Sequence, residues 1–194
     1  EQAYPIKYVM SALARNVLEH SQSSFGAVVC AQYFKKSNRI SIGIADRGIG
    51  IKQAINFSYS ARTHEEAISL ALRPGITGTT KRIGGTEFNA GAGLFFTKSI
   101  AAVSRDFFLI YSGDTFFKLL KTPSSKSISL NPSPYDDRAN FKSKLPFWQG
   151  TAVGIDISMD VNQDFQALLE MIRSAYHLNV KRLKNAKYKK PKFI

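Results

Sequence analysis

The sequence predicts an α/β domain. Three observations carry this: apolar residues at helical spacing near both ends of the chain, two pairs of β-rich runs joined by turn signals, and a late strand whose inward positions alternate. The chain has 194 residues, of which 44% are hydrophobic and 21% charged, with 13 glycines and 7 prolines. That balance belongs to a folded globular unit and excludes a disordered, collagen-like or low-complexity chain. At this length folding buries roughly 70% of the surface the unfolded chain exposes, so one core suffices without disulfides or metals.

Between residues 4 and 21, Ile6, Val9, Met10, Leu13 and Val17 follow three-and-four spacing and Pro5 suits a first turn, which predicts an amphipathic helix. Ala12, Asn16 and His20 are four apart and form one line along it. Residues 26–34 and 39–46 are β-rich runs separated by Lys36-Ser37-Asn38, an antiparallel hairpin whose second strand ends in Asp46-Arg47-Gly48-Ile49-Gly50. Thr63-His64-Glu65-Glu66 has capping-box spacing and opens a helix with Ala67, Ile68, Leu70, Ala71 and Leu72 on its apolar side. This helix should stop before Pro74.

Six glycines then follow, Gly75, Gly78, Gly84, Gly85, Gly91 and Gly93, interrupted by Thr77, Thr79, Thr80, Lys81 and Arg82. A stretch so rich in glycine and threonine, about 74–92, is expected to stay out of the core as a mobile lid whose backbone approaches a ligand closely. Residues 94–103 resume a helical pattern, and 107–111 with 115–120, joined through Gly113-Asp114, predict a second hairpin. Residues 122–148 hold four of the seven prolines and many serines, and read as an insertion or long surface loop. A strand over 151–157 points Val153, Ile155 and Ile157 inward, and a helix over about 162–176 closes a single domain, 1–180.

The net charge is +13, but seven of the positive charges lie in 181–194, which contains no acid, leaving only +6 on the rest. Without an aromatic stacking platform this segment reads as a solvated tail or linker end, with nucleic acid as the alternative partner. Cys30 is the only cysteine, so no intrachain disulfide or cysteine zinc cluster forms, and its apolar run predicts a small core hydrophobe in a reducing, cytoplasmic setting. No apolar stretch reaches the roughly 18 residues of a membrane span, because the best, near residues 94–110, is broken by Lys98, Arg105 and Asp106. Residues 1–10 do not read as a signal peptide, and the absent initiator Met suggests a trimmed chain with neighbouring domains missing.

A helix carrying Asn16, a strand delivering Asp46 into Asp-x-Gly-x-Gly, a glycine-rich stretch ending in Gly91-Ala92-Gly93-Leu94, and Gly150-Thr151 entering a late strand occur in this order. Together they resemble the N box and glycine motifs of the GHKL superfamily, the ATP-binding domains of gyrase, the heat-shock chaperone, histidine kinases and the mismatch-repair protein. The resemblance covers roughly residues 5–177. It implies a two-layer sandwich of Bergerat type, a mixed, mostly antiparallel sheet covered by helices on one face.

The resemblance further implies that Asp46 accepts a hydrogen bond from the adenine amino group, supported by Thr151 directly or through water. Gly48 and Gly50 would let the chain come close to the nucleotide. Gly91, Gly93 and Leu94 would offer helix N-terminal amides to phosphate, and Asn16 an amide oxygen to Mg²⁺. His20 and Arg15 are phosphate or lid contacts, or an ordinary helix-surface pair. Thr77, Lys81, Arg82 and Asn89 lie in or beside the lid, and a solvated lid is the alternative for its two cations. His64-Glu65 superficially looks like the phospho-accepting pair of histidine kinases, but it follows the Asn16 helix and is rejected.

The departure is Ala12, where the family pattern has the Glu that activates the attacking water. Two readings stay open: an engineered inactivating substitution, or a natural protein that binds nucleotide without hydrolysis or moves phosphate to a protein hydroxyl by another route. The implied function is a Mg·ATP-binding ATPase or protein kinase module of a larger bacterial-type regulatory system, acting with a protein partner or an adjacent domain. The chain is too short for the transducer domain that gyrase-like and chaperone-like members use, and no phospho-accepting His helix precedes Asn16. The alternatives are a nucleotide-gated protein-interaction switch, or a nucleic-acid-associated ATPase using the basic tail.

Overall fold

Both turn signals close hairpins in the computed structural model, which describes residues 4–85, 90–159 and 164–187. Strands β1 (Ala27–Phe34) and β2 (Arg39–Asp46) pair antiparallel without interruption, from Ala27 opposite Asp46 to Phe34 opposite Arg39. Strands β3 (Phe108–Gly113) and β4 (Thr115–Leu119) form the second hairpin, with Gly113 at φ 65° in its turn. Two further strands, β5 (Ala139–Lys142) and β6 (Trp148–Ser158), complete a six-stranded sheet in the order β1-β2-β6-β3-β4-β5.

Every pairing in this sheet is antiparallel, so the expectation of a mixed sheet is corrected. The reason is connectivity: the two hairpins supply four strands, and β6 runs antiparallel to both its neighbours, β2 and β3. A second correction concerns residues 122–148. Their tract contributes β5, which extends the sheet edge through Phe141 opposite Phe117. The Phe141 ring lies 4.9 Å from that of Phe117, tilted against it, and that non-local contact overrides the loop-like composition.

The helices are α1 (Tyr4–Asn16), α2 (Gly50–Asn56), α3 (His64–Ala71), α4 (Gly93–Val103) and α5 (Phe165–Lys187). As the capping-box spacing predicts, Thr63 Oγ1 accepts from the Glu66 amide at 3.1 Å, and α3 ends before Pro74. Helix α2 was not predicted, since seven residues carry too short a pattern to stand out. Helices α1 to α4 touch the sheet, and α5 packs on α4. They cover the face formed by Ile42, Ile44, Val153, Ile155, Phe108, Ile110 and Phe117, all buried and aligned strand to strand, Ile44 opposite Val153 and Val153 opposite Ile110. Burying each such side chain stabilises the fold by about 1.5–3 kcal/mol before entropy is counted. The coarse expectation of an α/β sandwich therefore holds.

Three more expectations change. Helix α5 continues through Lys181, Arg182, Lys184 and Lys187, so the first half of the supposed tail is helical, and Lys187 donates to the Lys81 carbonyl at 2.8 Å. Cys30 is exposed, because its apolar run forms the outermost strand β1 instead of a central one. The glycine-rich stretch is not excluded from the core: Thr77 and Ile83 are buried, and Gly75 lies so close to Val180 of α5 that a Cβ there would come within 2.8 Å of its side chain. Small residues here permit close backbone packing. Among the described residues no helix is long and apolar enough to cross a membrane.

Candidate functional site

The centre of the molecule holds a cleft with about 830 Å³ of empty space, counting its open mouth. Asp46 at the end of β2 and Thr151 on β6 line it, together with Asn16 at the end of α1 and His20 in the turn that follows. Thr77, Gly91, Gly93 and Leu94 line its rim, and Gly50 reaches it from the start of α2. Thus nine residues expected from sequence lie around one space. Ala12 and Gly48 do not line it, and Asn89 falls outside the described residues.

Asp46 arrives by strand periodicity. Ile42, Ile44 and Asp46 alternate onto the helix-covered face, so the last residue of β2 turns its carboxylate into the interior. Burial pushes its carboxyl pKa above the usual range, opposed by hydrogen bonds from the Gly48 amide, at 2.8 Å, and the Thr151 amide. The remaining carboxylate capacity faces the cleft. Asn16 ends α1, where the chain widens into one π-helical turn, Val17–Ser21, a distortion that frequently marks functional sites. Its side-chain Nδ2 is buried with no hydrogen-bond partner. An unpaired buried amide costs roughly 1–3 kcal/mol, which a ligand can recover. His20, one turn on, has its imidazole pKa lowered by burial, with Glu19 opposing, which favours the neutral ring.

Helix α4 begins beside Asn16. Its N-cap, Ala92, supplies no side-chain cap, and the first residues of this eleven-residue helix, Gly93 and Leu94, line the cleft, so the helix N-terminus with its amide donors stands at the cleft edge. The approach is close: a Cβ on Gly93 would sit 3.4 Å from Asn16 Oδ1. Gly91, at φ 65°, would bring a Cβ within 2.5 Å of the Ile76 carbonyl, so glycine is required there by backbone packing. Gly50, at φ 74°, turns the chain from β2 into α2 beside Ser112 and Gly150.

Gly48 serves a different purpose from the expected one. A Cβ there would lie 1.9 Å from the carbonyl oxygen of Ser21, which also accepts from the Ile49 amide at 2.8 Å. The residue lets the π-helical turn seat against the Asp46 loop. Gly48→Ala is therefore expected to destabilise the protein by about 1–3 kcal/mol through overpacking. Urea denaturation checks this, and an unchanged midpoint would show that the turn yields without cost.

Arg15 points away, exposed and paired with Glu19 at 3.6 Å, and Lys81 and Arg82 are exposed as well. Sequence reasoning missed the apolar floor, made by Ile44, Val153 and, from α2, Ile51, Ala54 and Ile55. The strand period would place Ile44 beside Asp46, and the spacing of 51, 54 and 55 is that of one helix face. Among the described residues no three His, Cys, Asp or Glu side chains converge to hold a metal by themselves. Compared with known proteins, the chain matches no protein-family model, and no curated protein matches it.

Proposed function

We propose that this cleft binds Mg·ATP, as the nucleotide module of an ATPase or kinase of GHKL type. The observation that carries the reading is the mixed lining of the cleft. It combines a single buried carboxylate and an apolar floor with an unpaired buried amide and an uncapped helix N-terminus. A flat base with an exocyclic amine suits the first pair. An anion with its counter-ion suits the second.

In this reading Asp46 accepts from the adenine N6 amine, while Ile44, Ile51, Val153 and Ile55 enclose the ring. The α4 amides from Gly93 onward donate to phosphate oxygens with the favourable end of the helix dipole. The side-chain oxygen of Asn16 is a hard ligand suited to a metal bound mainly by phosphates and water, while its buried, unpaired Nδ2 can donate to a phosphate oxygen. Mg²⁺ held there would neutralise phosphate charge. The protein's own groups position the nucleotide and exclude water from the base.

Calorimetry tests this with Mg·ATP, Mg·ADP and Mg·GTP. ATP and ADP should bind, and GTP, which presents a carbonyl to Asp46, should bind at least about tenfold more weakly; equal affinities, or no binding, would overturn the reading. Asp46→Asn should weaken ATP binding by ~1–3 kcal/mol. The pH dependence has a definite sign. Adenine recognition needs the ionised carboxylate, and burial raises its pKa, so ATP affinity should fall as pH is lowered toward that raised value. In Asp46→Asn this acid-side loss should vanish.

A further inference from the structure

The two edges of the sheet are treated differently by the sequence. Edge strand β5 has four residues, ends in Lys142, and is followed by Lys144 and Pro146, all features that discourage further pairing. Edge strand β1 has eight residues, Ala-Val-Val-Cys-Ala-Gln-Tyr-Phe, with no charge, no proline and no break in its register with β2. It leaves Val28 76%, Val29 47%, Tyr33 55% and Phe34 43% exposed. A long, neutral, unbroken edge is a template for another strand.

The geometry points to a second copy of this chain as that strand, with β1 pairing antiparallel to β1 across a two-fold axis at Ala31. Residues opposed in an antiparallel pair share a sheet face, and a two-fold axis normal to the sheet keeps both helix layers on one side. Only registers whose paired numbers sum to an even value meet that condition. On β1, Val29, Ala31 and Tyr33 lie opposite Ile44, Ile42 and Ile40 and share their face, while Val28, Cys30, Gln32 and Phe34 take the other.

Among the even registers, the one that places Ala31 opposite itself sets Val29 against Tyr33 on one face and Val28 against Phe34 on the other. Each is a β-branched residue against an aromatic, a favourable cross-strand pair, and each occurs twice by symmetry. Moving the axis to Cys30 sets Val28 against Gln32 and Val29 against Ala31. All four exposed side chains thus find large apolar partners only with the axis at Ala31. Charge agrees with this choice. Lys35 and Lys36 follow one end of the strand, and the axis carries that end to the partner's neutral Ala27 end, about 26 Å from the partner's own lysines. A ladder of this size falls in the class of small, concentration-dependent interfaces. The inference is independent of the nucleotide reading.

Sedimentation velocity on the full chain should show a reversible monomer–dimer equilibrium. Val29→Lys, and separately Val28→Lys at the more exposed site, should raise the dissociation constant by about tenfold or more with unchanged far-UV circular dichroism. Position-specific crosslinking tests the register. With Cys30→Ser as background, Ala31→Cys should oxidise to a disulfide-linked dimer, because residues opposed across strands lie within the roughly 7 Å that a disulfide spans. Ala27→Cys in the same background should not, since its two copies lie about 26 Å apart. A chain that stays monomeric at the highest attainable concentration, a dimer indifferent to both lysine substitutions, or equal crosslinking at 27 and 31 would each overturn the inference.

Discussion

Ala12→Glu is expected to raise ATP turnover by about 10² to 10⁴-fold, the range that a positioned general base contributes. Ala12 lies one helical turn before Asn16 on α1, so side chains at the two positions share a face. That face meets the start of α4: the position a Cβ would take on Gly93 is 3.4 Å from Asn16 Oδ1 and 4.0 Å from the Ala12 carbonyl. A methyl group at 12 stops short of the cleft, whereas a carboxylate three bonds longer would approach water beside the phosphates of the proposed nucleotide. Affinity for ATP should change by less than about tenfold, because the base acts on water and contributes little to ground-state binding. The assay is phosphate release at saturating Mg·ATP, with calorimetry on both proteins. Equal inactivity of both in the presence of the physiological partner would assign the cleft to a nucleotide-gated switch. Full activity of the Ala12 protein would place the base elsewhere.

What the sequence made legible is what depends on neighbours in the chain. The Thr63 cap and both hairpins are local, and each is where its spacing predicts. Three misreadings depend on distant partners. β5 is a strand because Phe141 meets Phe117, twenty-four residues away. Cys30 is exposed because β1 takes an edge, and an apolar run is the same string at an edge or at the centre. Helix α5 runs on through its basic residues because Tyr176 donates to the Ala90 carbonyl at 2.6 Å and Val180 packs against Gly75, anchoring it over the glycine-rich stretch. The site divides in the same way. Asp46, Asn16 and the start of α4 were legible from their motifs, but their convergence on one cleft, and the contact between Gly48 and Ser21, exist only in three dimensions.

Asp137→Ala is expected to cost about 3–5 kcal/mol of stability, the price of leaving a buried charge unpaired. Lys98 sits in the middle of α4, 2% exposed. Its ammonium donates to the Asp137 carboxylate and, at 3.2 Å, to the Asn131 carbonyl, and it lies 5.7 Å from the centre of the Phe95 ring. Asn131 in turn donates to Asp137 at 3.1 Å, so the ion pair ties the proline- and serine-rich segment to the helix layer. Burial pushes the Lys98 pKa down and the Asp137 pKa up, and each partner opposes the shift of the other. Removing one charge leaves burial unopposed at the survivor, and the two deletions then carry opposite pH signatures. In Asp137→Ala the lysine pKa falls further below its unfolded value, so the lost stability should be recovered as pH rises through the depressed pKa. In Lys98→Met the carboxyl pKa rises further, so stability should be recovered as pH falls. Lys98→Met with Asp137→Leu, which removes both charges and fills the space, should restore most of the loss at every pH. Urea midpoints for the four proteins between pH 5 and 9 make the comparison. Single variants that lose less than about 1 kcal/mol, or lose it equally across that range, would show that water reaches the pair and that the segment is held by its aromatic contacts instead.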